Sequence, residues 1–345
     1  MNFKNRLHEV IPGGAHTYSR GDDQFPYNAP PILEKAKGAY IFDNVGNKYL
    51  DYGMGLRAVT VGYSDKEINE AAIEQINNGN CLTRPSITEL KAAELIIDTI
   101  DSAEMVKFAK NGSNVTTAAL KLARAYTKKE KICVPSQQPF FSFDDWFISS
   151  TPIKNGTTKG ISKDTLVFQY GNIESLISLF ENNKNQIAAV MLEPATTEMP
   201  CSPCERIDNN QFKHKGCRGC HKHKSSFLVQ ARNVCDKYGA LLIFDEMITG
   251  YRWHLKGAQY LFDVEPDLST FGKGMANGFS LAALVGKKKI MELGGILQEN
   301  MERTFLLSST HGAEMSSLGA FICTTSVYRK RLVCESIWSF GEKII

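Results

Sequence analysis

The chain has 345 residues, 43% of them hydrophobic and 22% charged, a balance that excludes disorder for most of its length and fits an ordinary globular protein of about two domains. Forty basic against 37 acidic residues leave a net charge of +3, without the basic excess of a nucleic-acid binder. No apolar run approaches the roughly 18 residues of a membrane span, and the N-terminal stretch MNFKNRLHEVIPGG lacks the apolar core of a secretory signal, so the expected compartment is cytoplasmic, with neither membrane nor nucleic acid as partner.

Along the chain, helical and strand-like periods alternate. Residues 65–79 carry Ile68, Ala71, Ala72 and Ile76 at helical spacing, with Gly79 as a stop. Residues 86–100 open on Ser86 and Glu89, a capping-box pair, and continue with Leu90, Ala93 and Ile97 on one face. A strand is expected over 105–109, an alanine-rich helix over 113–126, a strand over 131–134 and a helix around Leu176–Phe180. The runs at 187–192 and 240–244 are continuously apolar, as strands buried on both faces must be. A helix over 226–238 separates them, and 282–285 reads as one more strand.

This alternation predicts an α/β fold with a mostly parallel sheet, whose ligands bind beyond the carboxyl ends of the strands. The residues following the apolar runs are therefore the candidates. Asn111-Gly112-Ser113 stands at a helix start, where free N–H groups, a hydroxyl and the helix dipole suit a phosphate. By itself a capped helix start explains it equally. Asp245 and Glu246 follow Ala-Leu-Leu-Ile-Phe, a costly place for two carboxylates unless they are paired. A salt bridge to Arg252 or a solvated strand end is the plain alternative. Lys273 lies between Gly272 and Gly274, which leave room for a group to approach its amine. A desolvated lysine can form a Schiff base with a carbonyl, whereas a lone lysine is usually a surface charge. A phosphate cup, a buried carboxylate and a glycine-flanked lysine at neighbouring strand ends together describe a site for pyridoxal 5'-phosphate.

The sequence resembles the class III pyridoxal-phosphate aminotransferases, nearest to glutamate-1-semialdehyde 2,1-aminomutase and its relatives. The motifs are Ile-Pro-Gly-Gly at 11–14, Asn-Gly-Ser with the stretch from Lys121 to Tyr126, Glu193-Pro194, Phe-Asp-Glu-Met-Ile-Thr-Gly-Tyr-Arg at 244–252, Pro266-Asp267-Leu268, and Phe-Gly-Lys-Gly-Met-Ala-Asn-Gly-Phe at 271–279. The resemblance implies fold type I, a mostly parallel central sheet flanked by helices, with a small α+β domain built from both termini. On that pattern residues 1–52 are the N-terminal part of the small domain, 53–308 the large cofactor-binding domain, and 309–345 the start of a C-terminal small domain that the chain leaves incomplete. It implies amino-group transfer between small amino and keto compounds. Lys273 is then the Schiff-base lysine and proton shuttle, and Asp245 the partner of the ring nitrogen. Gly112 and Ser113 hold the phosphate and Phe140 stacks on the ring. Thr310, with Ser309 as the alternative, reaches the phosphate of a neighbouring subunit, which implies a homodimer. Arg20, eight residues after Pro12, matches the arginine that grips a substrate carboxylate, or is an ordinary surface arginine. Three departures bear on substrate rather than cofactor. Phe140-Phe141-Ser142 replaces an aromatic-His-Gly triplet, Leu56 stands where the aminomutase has tryptophan, and the stretch Gly53–Arg57 differs.

One segment, residues 200–224, interrupts the resemblance. Cys201-x2-Cys204 and Cys217-x2-Cys220, twelve residues apart, supply the four thiolates of a structural zinc site. An iron–sulfur cluster, or redox or unligated thiols, are the other readings. A catalytically impaired, zinc-stapled relative with a binding or regulatory role is the rival to the enzyme.

Overall fold

The computed structural model describes residues 3–195, 199–200, 223–298 and 302–344. Three short strands, β1 (Leu33–Lys37), β2 (Tyr40–Asp43) and β3 (Lys48–Leu50), form an antiparallel sheet near the N-terminus. The main sheet has seven strands: β4 (Met105–Ala109), β5 (Lys131–Pro135), β6 (Thr165–Phe168), β7 (Ile187–Leu192), β8 (Leu241–Asp245), β9 (Leu268–Phe271) and β10 (Ala282–Gly286). Their spatial order is β4-β10-β9-β8-β7-β5-β6, and β10 alone runs antiparallel to both of its neighbours. The expected α/β architecture with a mostly parallel sheet is therefore what the chain adopts.

The continuous apolar runs are the central strands, and every residue of β7, β8, β9 and β10 is buried. Their side chains alternate between two layers, as the period of a strand requires. Leu241 and Ile243 face the core beneath the Gly112–Thr127 helix, while Leu242 and Phe244 face the Ile173–Asn182 and Phe227–Tyr238 helices. Helix starts follow the expected capping chemistry. Asp65, Ser86, Asn111 and Ser226 each accept a backbone N–H three residues ahead, at 3.3, 3.0, 3.1 and 3.4 Å.

The last long helix, Met315–Arg331, buries 11 of its 17 residues, among them Ser316, Ser317, Thr324 and Thr325. It packs into one core with Phe271, Met275 and Ala276, and the Tyr328 hydroxyl donates to the Gly274 carbonyl at 2.8 Å. This helix thereby supports the backbone on both sides of Lys273.

Candidate active site

All four predicted strand-end segments lie at one edge of the sheet. Gly112 follows β4, Glu193 follows β7, Asp245 ends β8 and Lys273 lies two residues beyond β9. Met247 joins three of them. Its backbone N–H donates to Asp245 Oδ1 at 3.0 Å. Its sulfur would lie 3.3 Å from a Cβ added to Gly112 and 2.6 Å from one added to Gly272. A side chain at Gly272 would therefore have to displace the Met247 thioether from between the two loops.

The two adjacent carboxylates have different work. Glu246 is fully buried and accepts from the backbone N–H groups of Ala258 and Gln259 at 2.8 and 2.9 Å and from the Thr249 hydroxyl, so it caps the Ala258–Phe262 helix. Asp245 is nearly as buried, but both its hydrogen bonds fall on Oδ1, from Met247 and from the Thr270 hydroxyl at 3.1 Å. Thr270 is its cross-strand partner in register. Oδ2 has no partner among the described residues. Arg252, the nearby cation, turns elsewhere, to the Arg57 carbonyl, Thr60 Oγ1 and Met54 Sδ. The salt-bridge alternative for Asp245 is thus not the arrangement the chain adopts. A carboxylate with one oxygen fixed by the protein and one free fits the protonated nitrogen of a bound ring.

Electrostatics at the site follow from burial. Desolvation raises Asp245 to about 6, against the opposing effects of the Met247 N–H, the Lys273 charge and the Thr270 hydroxyl. Burial also drives the Lys273 amine below the ordinary lysine range, opposed by Asp245 and Glu193 and assisted by the positive charges of Arg57 and Arg252. Lys273 adopts a φ of +45°, strained for a residue with a side chain. Glu193 is a further buried titratable group of the site. Gln138 clamps its backbone on both sides, at 2.8 and 2.9 Å, and Glu193 Oε2 is buried with no hydrogen-bond partner. Burial, then the nearby Asp245, raises it to about 8.

A stability experiment reads this directly. With a folded-state pKa above the unfolded one, Glu193 binds more protons in the native state, so its effect on stability worsens as pH rises from about 4.5 to about 8. Glu193→Gln is expected to raise the urea midpoint of the cofactor-free protein at pH 9 and leave it unchanged at pH 4. Equal midpoints for variant and wild type at pH 9 would remove this account of the residue.

A strained turn lies beside the lysine loop. Met54, Gly55, Leu56 and Arg57 have φ of +49°, +57°, +59° and +68°, a left-handed turn that costs about 1–2 kcal/mol for each non-glycine residue. It is held by Arg57 N–H to the Gly53 carbonyl and Val59 N–H to the Met54 carbonyl, both 2.9 Å. Asn277 Oδ1 accepts from the Thr60 and Val61 N–H groups at 2.8 and 3.1 Å and ties the following residues to the lysine segment.

The other predicted residues are distributed as follows. Gly112 and Ser113 begin the helix after β4; the Ser113 hydroxyl accepts from the Phe143 N–H at 3.0 Å and keeps its own hydrogen to donate. Phe140 is exposed, its ring edge-on to Phe147 at 6.2 Å. Thr310 is in an exposed turn whose Gly312 approaches the Phe108 carbonyl near the end of β4, the same sheet edge as Gly112. Arg20 is exposed in the turn Tyr18–Arg20; its charge acts on the Tyr63 hydroxyl and is not among those acting on Lys273, Asp245 or Glu193. Cys201, Cys204, Cys217 and Cys220 lie outside the described residues, and among the described residues no group of three or more His, Cys, Asp or Glu could hold a metal. No helix among the described residues is long and apolar enough to cross a membrane. Gln138 has no signature in the sequence, and Met247 and Thr270, which stand in or beside the motifs, carry none that marks their contacts with Asp245. The sequence marks Arg57 only as part of a departing stretch.

A helix start after β4, a half-satisfied buried aspartate at the end of β8 and a desolvated lysine after the neighbouring β9 are residues whose chemistry fits pyridoxal phosphate. The family model described as aminotransferase class-III matches residues 18–206 and 214–344, and the chain belongs to that family. It is 35% identical over 295 residues to the glutamate-1-semialdehyde 2,1-aminomutase of Acetivibrio thermocellus, covering 83% of this chain and 64% of that one. It is 30% identical over 344 residues to the 3-aminobutyryl-CoA aminotransferase of Cloacimonas acidaminovorans, covering 99% and 76%. Among solved structures, the FumI protein of Sphingopyxis sp. MTA144 in its PLP internal aldimine form superposes with a TM-score of 0.80 at 27% identity, covering 95% of this chain and 72% of that one. The chain spans 62–64% of the length of the first aminomutases it matches.

Proposed function

We propose that the protein is a pyridoxal-phosphate-dependent enzyme that moves an amino group between small amino and keto compounds, as a class III aminotransferase or a glutamate-1-semialdehyde aminomutase-like enzyme. The observation that carries the reading is the meeting of Gly112, Asp245 and Gly272, the residue before Lys273, around Met247 at one edge of the sheet. Pyridoxal phosphate supplies an aldehyde that condenses with amines and a ring that accepts the electron pair left by a departing α-proton. Gly112 and Ser113 hold the phosphate with backbone N–H groups, the Ser113 hydroxyl and the helix dipole. Asp245 keeps a proton on the ring nitrogen through Oδ2. Lys273 Nζ is the covalent anchor and the atom that takes and returns the substrate proton, and burial favours the neutral amine this needs.

The proposal extends to Phe140 against the ring, to Arg20 on a substrate carboxylate, and to a cytoplasmic homodimer in which Thr310 serves the partner's phosphate. It also extends to zinc on the four clustered cysteines. These parts rest on the resemblance and on residue chemistry.

The test is to add pyridoxal phosphate to the purified chain, record the visible spectrum and assay candidate amino donors for a free keto product. A lysine-bound cofactor band with keto-product release supports a two-substrate transaminase. The band with rearrangement of one molecule, and no released keto acid, supports an aminomutase. A chain that develops no band overturns the enzyme reading in favour of the binding or regulatory rival.

A further inference from the structure

The left-handed turn at Met54–Arg57, where the sequence departs from the family, has no role assigned to its side chains so far, yet it borders the lysine segment. Thr60 Oγ1 would lie 3.0 Å from a Cβ on Gly274, and Val59 Cγ2 3.2 Å from one on Gly278. With the Asn277 bonds to Thr60 and Val61, these contacts seat residues 59–61 directly on the segment that follows Lys273. Arg57 is exposed, and among the described residues its guanidinium makes no ion pair or hydrogen bond; only its backbone is engaged, by the Gly53 carbonyl and by Arg252. Across the site lies the buried, unpartnered Oε2 of Glu193.

We propose that Arg57 is a specificity-determining residue of this site, its guanidinium receiving a carboxylate carried by the amino donor or keto acceptor. The inference rests on the amino-transfer reading and names the substrate class within it. A planar guanidinium matches a carboxylate with two parallel hydrogen bonds, which a neutral donor cannot replace. Arg252, the other nearby cation, is tied to Arg57, Thr60 and Met54 and has a fixed structural task. Arg57 therefore offers a free charge held by a rigid backbone. Its turn borders the lysine segment, and its charge is among those acting on both Glu193 and Lys273. Glu193, raised to about 8, is largely uncharged at neutral pH and does not repel such a group. The strained backbone fits this role, because a relaxed turn would redirect the side chain.

The experiment titrates glutarate and its neutral diamide into the cofactor-loaded chain, following heat and the visible cofactor band. Wild type is expected to prefer glutarate. Arg57→Ala should weaken glutarate about ten- to a hundred-fold, the range of a lost charge-assisted hydrogen bond, while the diamide and the cofactor band stay unchanged. Arg57→Lys should recover part of the loss. If Arg57→Ala loses the band through misfolding, Arg57→Gln, a neutral side chain of similar reach, decides in the same way. Glutarate held as tightly by a band-forming neutral variant as by wild type overturns the inference, as does a loss seen only in Arg20→Ala or a wild type indifferent to the charge. Each of these leaves the amino-transfer reading standing. A wild type that forms no band overturns that reading, and the inference with it.

Discussion

Lys273→Ala is expected to abolish amino transfer and to leave no reducible lysine–cofactor bond. Proton transfer by a positioned group alone is worth about 10²–10⁴-fold, and this substitution removes the covalent anchor as well. The measurement is borohydride reduction of the cofactor-loaded chain followed by peptide mapping. Wild type should carry the label on the peptide containing Lys273, and the variant should carry none there. Label appearing on another lysine in wild type would displace the assignment. The fold should survive, because the Lys273 amine makes no ion pair among the described residues and its burial penalises the charged form. The neighbours Gly272 and Gly274, which meet Met247 and Thr60, would be untouched.

Asp245→Asn separates catalysis from stability. The amide can still accept from Met247 N–H and the Thr270 hydroxyl through its oxygen, so the loop keeps its shape. It cannot hold a positive ring nitrogen, and transfer should fall by roughly 10²–10³-fold, the effect of deleting one preorganised electrostatic group. The cofactor-free variant should at the same time be more stable than wild type at neutral pH. The native Asp245 is raised from 3.8 to about 6, so the folded state binds the extra proton and loses stability as pH climbs through that window. A displacement of about two units corresponds to roughly 3 kcal/mol. Urea melts at pH 8 should therefore favour the asparagine variant, and melts below pH 4 should show no difference. An asparagine variant less stable than wild type at pH 8 would defeat the argument. Saturating cofactor should narrow the gap, since a cationic ring supplies Asp245 with the partner the empty protein lacks.

The central sheet was legible because β7, β8 and β10 are buried on both faces and must be apolar throughout. Lys273, Asp245 and the Gly112 helix start were legible because a strand end is where polar residues interrupt such runs. Other elements gave weaker signals. The strand β6 is a short edge strand with Val167 turned to solvent. The Met315–Arg331 helix is enclosed nearly all round and fills its buried positions with serine and threonine, so no apolar stripe marks it. Thr325 satisfies its hydroxyl on the Phe321 carbonyl within the helix, which is how a polar residue can sit there. The β1–β3 sheet is organised by Asp43, whose carboxylate gathers Val45, Asn47 and Tyr49, a local device that periodicity does not detect. Asp267, part of a recognised motif, is structural: it binds the Leu242 N–H and Arg232 and pairs with Lys287. The role proposed for Arg57 depends on four consecutive residues of positive φ, and three of them are of types that do not announce that conformation.

The reversed strand β10 also orders events during synthesis. It lies between β4 and β9, and among the described residues β4 has no other neighbour in the sheet. Until residues 282–286 have left the ribosome, the strand leading to Gly112 lacks this partner, although it was made more than 150 residues earlier. The Gly112 helix start and the lysine loop are thus brought to one edge by a late, long-range closure of the kind that slows folding. Chains that end before Ala282 are therefore expected to leave β4 without its partner, and the helix start at Gly112 without its support.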